Sequence, residues 1–346
     1  MFPVATDWTA QIGDVLEGAA IEAPLATDGT RVFVATTDGV VRGLDGGTGT
    51  ERWKVPSRPG FLSARPGLVV VRESDGTVWS VAPATGSARW KVETKVAGSL
   101  PAGLAEDAVY VGGAGLVALD AASGSVRWTA DPPPQVSAPP VASGQRVLVP
   151  EEDGTLRCRN ATTGAVVWAF STRKALRSGP VVDTEGKRVL LGSGDRRFLA
   201  IGLEDGKEHW TWKIGAQVQG WPVVLDDKVF FATHENVLYA LKRGGGSLVW
   251  QATLPSRPIS APLLANGAVL VACYGARPRE SFVVGFDVRT GRRLGDLKTT
   301  AELAAPPILL GDALVAGLRD RSVVRLAFAR PESPEGVDKP PAALPD

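Results

Sequence analysis

The sequence predicts an all-β protein: an eight-bladed β-propeller of four-stranded antiparallel blades. Three observations carry that expectation. First, a short frame recurs along the chain: a small residue, Asp two places on, a hydroxyl-Gly pair, and Trp four residues after the Gly. Its fullest copy is Ala118-Leu119-Asp120-Ala121-Ala122-Ser123-Gly124-Ser125-Val126-Arg127-Trp128. Second, Trp8, Trp53, Trp90, Trp128, Trp168, Trp210 and Trp250 follow one another at intervals of 37 to 45 residues, a period typical of propellers and solenoids. Third, 40 Gly and 26 Pro punctuate apolar runs that keep returning, which suits many short strands joined by many turns.

Each copy of the frame reads as strand, tight turn, strand. Gly supplies the positive φ of the turn, and Asp or Thr hydrogen-bonds its backbone. Trp then starts the closing strand with a large apolar surface to bury. Six residues before each turn Gly lies a small residue: Gly43, Ser80, Ala118, Cys158, Ala200, Ala240 and Gly285. The expectation is that a neighbouring Trp lies over this backbone. A seventh copy, Asp287 to Gly291, places Gly295 where Trp is due.

Taken along the chain, Trp8 comes first and has no strand pair before it. Asp38-Gly39, Asp75-Gly76 and Asp153-Gly154 mark hairpins in blades 1, 2 and 4. In blade 4 the expected strands are 137–142, 146–150, 155–160 and 166–170. Inner strands begin near Pro24, Pro101, Pro139, Pro180, Pro222, Pro262 and Pro306, where a missing N–H costs no ladder bond. Residues 275–280 lengthen a turn in blade 7. The C-terminal strands near Ile308, Ala313 and Val323 lack a closing Trp strand, so the Trp8 strand is expected to complete their blade and close the ring. The organisation is then one propeller over 1–330 and a disordered Pro-rich tail over 331–346.

With 38 basic against 37 acidic residues and a net charge of +1, the chain lacks the basic excess of a nucleic-acid binder. No stretch has the length of a transmembrane helix. Its start has no basic and apolar leader, so the sequence reads either as cytosolic or as an exported protein without its export signal. Cys158 and Cys273 are core filler on this reading, about three repeats apart and not a disulfide.

The frame resembles the tryptophan-docking motif of the PQQ-type propeller repeat, Ala-x-Asp-x-x-Thr-Gly-x-x-x-Trp. Ala118 to Trp128 matches it with Ser for Thr. Asp120 and Asp287 keep the Asp, Asn160 replaces it, and Ala82, Gly202 and Lys242 depart from it. Among proteins with this repeat, the chain is most similar in size and blade count to the BamB outer-membrane assembly lipoproteins. That resemblance implies a non-catalytic protein-binding scaffold at the periplasmic face of the outer membrane. Its partner would be a BamA-like barrel subunit, and membrane contact would come only through a lipid anchor that this chain lacks. Quinoprotein dehydrogenases share the repeat and hold their cofactor with an adjacent Cys-Cys disulfide and a calcium site. No Cys pair exists here, so no cofactor is expected. The alternative readings are a PQQ-dependent dehydrogenase-like propeller and a ligand-sensing propeller domain. BamB-like proteins contact their partner through a Leu-x-Leu-Arg run, whose nearest counterpart is Lys174-Ala175-Leu176-Arg177.

The residues themselves offer little catalytic chemistry. His209 and His234 have no second His or Cys at ligand spacing. No Gly-x-Ser-x-Gly is present. Gly112-Gly113-Ala114-Gly115 replaces a hairpin turn and opens no helix. The sequon at Asn160 is accounted for by the repeat's own turn. Strand order places the loops that lead into inner strands on one face with the hairpins between second and third strands. Arg58, Lys95, Arg173, Lys174, Arg177, Lys213, Arg257, Arg277, Arg279, Arg319 and Arg321 fall there, with Asp14, Glu17, Asp195, Glu235, Glu280 and Asp320. Arg is enriched at protein interfaces, so this face is the expected partner-binding surface. Arg173, Lys174, Leu176, Arg177 and Arg257 are its candidate contact residues.

Overall fold

A computed structural model describes residues 4–13, 20–21, 23–58, 60–277 and 280–328. The described strands form eight four-stranded antiparallel sheets. Blade 1 consists of Ala26–Thr27, Arg31–Thr36, Val40–Asp45 and Glu51–Pro56. Blades 2 to 7 repeat that order, each strand pairing with the next in sequence. Blade 8 takes Ile308–Leu310, Ala313–Gly317 and Ser322–Phe328 from the C-terminal end and Val4–Gln11 from the N-terminal end. Trp8 pairs with Arg325, so the ring closes as the sequence predicted. The tail expected from residue 331 lies outside the described residues, as do Asp14, Glu17 and Arg279.

The core is divided among the junctions. Eight buried apolar clusters occur, one between each pair of adjacent blades. The second strand of each blade explains this: runs such as Val69-Val70-Val71 are buried on both faces, because each face meets a different neighbour. The fourth strand is the exposed edge, and in six blades Trp is its buried residue, Trp210 being half-buried in blade 5.

Each indole sits where three parts of the repeat meet. Within its own blade it faces the small-residue column: Gly43 pairs with Trp53, Ala118 with Trp128 and Cys158 with Trp168. A Cβ added at Gly43 would lie 2.3 Å from the Trp53 ring. The column is therefore small because of the same blade's Trp, not a neighbouring one as the sequence suggested. The neighbouring Trp instead lies on the turn Gly: Trp8 on Gly49, Trp53 on Gly86, Trp90 on Gly124 and Trp128 on Gly164. Its Nε1–H then donates across the junction. Trp53 reaches the Pro83 carbonyl at 2.8 Å, Trp90 that of Ala121 at 3.0 Å, and Trp250 that of Val288 at 3.2 Å. Trp8, Trp128, Trp168 and Trp210 do the same with Gly46, Ala161, Leu203 and Arg243.

Blade 4 follows the expected strands except at its start. Its first strand is Val141–Ser143, shorter than 137–142. Pro139 and Pro140 have no N–H to give, so a continuous ladder starts only at Val141.

Candidate functional site

The loops between blades are pinned to one face. After the fourth strand, the chain donates a backbone hydrogen bond to the hairpin of the same blade: Ser57 N to Gly39 O at 2.8 Å, Thr172 N to Gly154 O at 2.8 Å, Ile214 N to Arg196 O at 3.0 Å and Leu254 N to Asn236 O at 2.7 Å. Thr172 Oγ1 doubles the bond at 2.9 Å. Hairpins and inter-blade loops thus share a face.

The junction between blades 4 and 5 gathers four of the candidate residues. Arg173, Lys174 and Arg177 are exposed on its loop. Arg177 lies 3.8 Å from Glu152, a loose surface pair. Leu176 is different. It is fully buried in the apolar cluster between blades 4 and 5, beside Trp168 and Val189. Its side chain anchors the loop to the core and offers no surface to a partner in this conformation. The Ser137 hydroxyl donates to its carbonyl at 2.6 Å. Arg257 stands apart, exposed on the loop between blades 6 and 7. There His234 is held below its ordinary value, first by burial and then by the Arg257 charge.

A groove of about 530 Å³ opens beside Arg173, lined by Ser171, Arg173, Asp195, Arg196, Arg197, Lys213 and Ile214. Asp195 is engaged inside the wall: its carboxylate accepts from Ser193 Oγ and from Arg197 Nε at 3.0 Å. Burial raises its pKa, but the bonds from Arg197 and Ser193 outweigh that and hold it below the usual carboxylate value. Arg197 also lies 3.5 Å from Glu208. Among the described residues, no carboxylate pairs with Arg173, Arg196 or Lys213. The sequence pointed to Arg173 and Lys213 but missed Arg196 and Arg197. A signal was present: Arg196 follows Asp195 where blades 1, 2 and 4 place Gly39, Gly76 and Gly154, and it takes their left-handed conformation at φ +64°, as Asn236 and Arg321 do in blades 6 and 8.

A second unforeseen feature is Arg72, fully buried between blades 2 and 3. Its guanidinium donates to the carbonyls of Leu100 at 2.7 Å, Gly112 at 2.6 Å and Val96 at 3.1 Å. Burial lowers its pKa to about 10, which leaves it charged at neutral pH. Gly113 makes room for it, since a Cβ there would lie 2.9 Å from Arg72 Nη2.

The two cysteines are free and buried, in blades 4 and 7, and burial pushes both thiols up to about 12. Such thiols are poor nucleophiles near neutrality. Among the described residues, no group of three or more His, Cys, Asp and Glu side chains could hold a metal ion. His209 Nδ1 accepts from Arg188 Nε at 3.2 Å, and His234 meets the Gln219 side chain.

These features define a class: a closed eight-bladed propeller, latched blade to blade by repeat tryptophans, with its variable loops on one face. Comparison with known proteins narrows it. The family model described as outer membrane protein assembly factor BamB matches residues 5–95, 74–214, 152–302 and 212–328. The chain belongs to the BamB family. It is 25% identical over 268 residues to the outer membrane protein assembly factor BamB of Yersinia pestis, an alignment covering 72% of this chain and 61% of that protein. It is 24% identical over 302 residues to that of Moranella endobia (strain PCIT), covering 82% of this chain and 69% of that protein. The quinoprotein ethanol dehydrogenase of Pseudomonas putida is 36% identical over 73 residues, 21% of this chain and 12% of the enzyme. In fold the chain is similar to the crystal structure of BamB from Moraxella catarrhalis, with a TM-score of 0.77 at 18% identity, over 94% of this chain and 100% of that one.

Proposed function

We propose that this protein is a non-catalytic scaffold of outer-membrane β-barrel protein assembly, working on the periplasmic side of the outer membrane. The observation that carries this reading is the match to the BamB family over repeats that run from the closing strand to the last blade. The mechanism is presentation. Rigid blades hold the hairpin face, and a partner segment docks on its loops. Arg173, Lys174 and Arg177 are the contact residues at blades 4 and 5, and Arg257 is a second contact at blades 6 and 7. Leu176 acts as the loop's anchor. The partner is a protein of the assembly machinery, with a BamA-like barrel subunit the specific proposal. Membrane contact would come only through a lipid anchor.

The test is capture from the envelope fraction of the source organism. Replacing Arg173, Arg177 and Arg257 with Glu should reduce capture of the partner by at least about tenfold while leaving the thermal midpoint in place. Unchanged capture removes the assignment of this face. The likeness to quinoprotein ethanol dehydrogenase over part of the chain favours one alternative, a quinone-dependent dehydrogenase. Adding the quinone and calcium and following dye reduction decides it: turnover would replace the scaffold reading.

A further inference from the structure

We infer that the groove between blades 4 and 5 is a recognition site for an extended acidic peptide segment, one that brings two or more carboxylates to Arg173, Arg196 and Lys213. The inference deepens the scaffold reading and rests on it for the statement that the ligand is part of a protein.

The strongest support comes from the repeat itself. Blades 1 and 2 form the equivalent groove on the same face, about 350 Å³, lined in part by Arg58, Glu73, Asp75, Thr77, Lys91 and Glu93. There the charges are answered internally. Arg58 pairs with Asp75, and Lys91 lies 3.8 Å from Glu73. At the positions of Gly76, Thr77 and Glu93, blade 5 carries Arg196, Arg197 and Lys213. The register fixes this equivalence: Thr77 pairs with Glu93, and Arg197 pairs with Lys213. Both hairpins close with the same backbone bond, Gly76 N to Glu73 O at 3.2 Å and Arg196 N to Ser193 O at 3.2 Å.

One shared backbone therefore builds a neutralised groove in one place and a cationic one in another. Arg196 also holds a left-handed φ of +64° at the position where blades 1, 2 and 4 place Gly and blades 6 and 8 place Asn236 and Arg321. Such a conformation is unfavourable for a side chain, and residues kept there cluster at functional sites. The single carboxylate of the groove, Asp195, is already bonded to Arg197 and Ser193 and leaves the other cations open. An open groove of this size, with arginines on opposite walls, suits several residues of extended chain, each guanidinium fork gripping one carboxylate through both of its oxygens.

The experiment is fluorescence anisotropy with the purified full chain and a labelled eight-residue peptide alternating Glu and Gly. The Gln-for-Glu peptide, inorganic phosphate and phosphatidylglycerol vesicles serve as comparisons. The Glu peptide should bind, and binding should weaken as salt rises. The double variant R196G/K213E restores the blade 2 residues and should raise the Kd at least about tenfold. Because Gly relieves the left-handed residue, Arg196→Gly alone should keep or raise the thermal midpoint, so lost binding is not lost folding. Arg173→Gln on the opposite wall gives an independent reading and should also weaken binding. Equal affinity of wild type and both variants overturns the proposal, as does binding of phosphate or vesicles in place of the peptide. If the peptide binds but no envelope protein is captured, the scaffold reading fails and the groove stands. If capture persists and the peptide does not bind, the groove fails alone.

Discussion

Each docking indole fills space between two blades, caps a turn Gly and donates one hydrogen bond to the next blade, so its removal should be costly in separable steps. Trp128→Phe keeps most of the ring and orphans the Ala161 carbonyl, which now receives the indole N–H at 2.9 Å. We expect a loss of about 1–3 kcal/mol, the usual penalty for a polar group left unpaired. Trp128→Ala should lose about 3–5 kcal/mol, because the emptied space cannot close between two rigid sheets. Urea unfolding followed by circular dichroism separates the two; equal losses would deny the hydrogen bond a role. The turn aspartates give a pH dependence. Asp120 accepts from Arg127 at 2.8 Å, from Ser123 N at 2.9 Å and from Ala122 N at 3.1 Å. Led by the Arg127 bond, these contacts hold its pKa below the ordinary 3.8; Asp45, led by its bond from Arg52, and Asp287, led by the Thr290 hydroxyl, are lowered too. A depressed folded pKa favours the charged folded state above the ordinary value, and that contribution is lost as pH falls through the depressed one. The triple Asp→Asn variant at 45, 120 and 287 should therefore flatten the decline of stability below about pH 4. Asn160 shows that the turn survives the change, accepting from Thr162 N and Thr163 N at 2.9 Å. An unaltered acid limb in the variant would refute the assignment.

At the scale of the element, the missing Trp of blade 7 has a physical explanation. Every docked Trp uses the turn between third and fourth strands of the next blade. Blade 8 has no such turn, because its third strand ends at Phe328 and its fourth begins at Val4. An indole at 295 would have nothing to dock on, which fits Gly285 facing Gly295 at the equivalent pair. Gly295→Trp should therefore leave the thermal midpoint unchanged or lower it, and a clear increase would contradict this account. Arg72 is the opposite case, an element joined to its neighbour by a side chain outside the repeat. Arg72→Ala should destabilise, each buried carbonyl left without its donor costing about 1–3 kcal/mol. What the sequence made legible divides along these lines. Blade number, hairpins, Trp positions and closure could be read because turn chemistry and repeat period are local. Leu176 could not, because its burial is set by two blades meeting around it. Arg72 was hidden for the same reason: its partners lie in the next blade. Arg196 stood in plain view, but only alignment with Gly39, Gly76 and Gly154 shows that an arginine occupies a glycine's conformation.

The whole ring depends on one strand that is separate in sequence from the blade it completes. Val4–Gln11 pairs along Ser322–Phe328, from Val4 with Phe328 to Gln11 with Ser322. The same strand carries Trp8, whose indole rests on Gly49 and donates to Gly46 at 3.1 Å in blade 1. Arg325 pairs with Asp7 across the seam. One segment thus satisfies the edge of blade 8 and latches blade 8 to blade 1. Deleting residues 1–11 removes both functions at once. It exposes the edge of the third strand and the apolar cluster that includes Ile21, Val32 and Val323. The deleted chain should unfold at a lower temperature and associate through the bared edge. A synthetic peptide of residues 1–13 should reverse both effects, with Trp8 emission shifting blue as the indole is buried. Trp8→Ala in the full chain gives the intermediate case, keeping the edge paired while losing the latch, and should destabilise less than the deletion. A deleted chain as stable and monomeric as wild type would mean that the ring does not need its N-terminal strand.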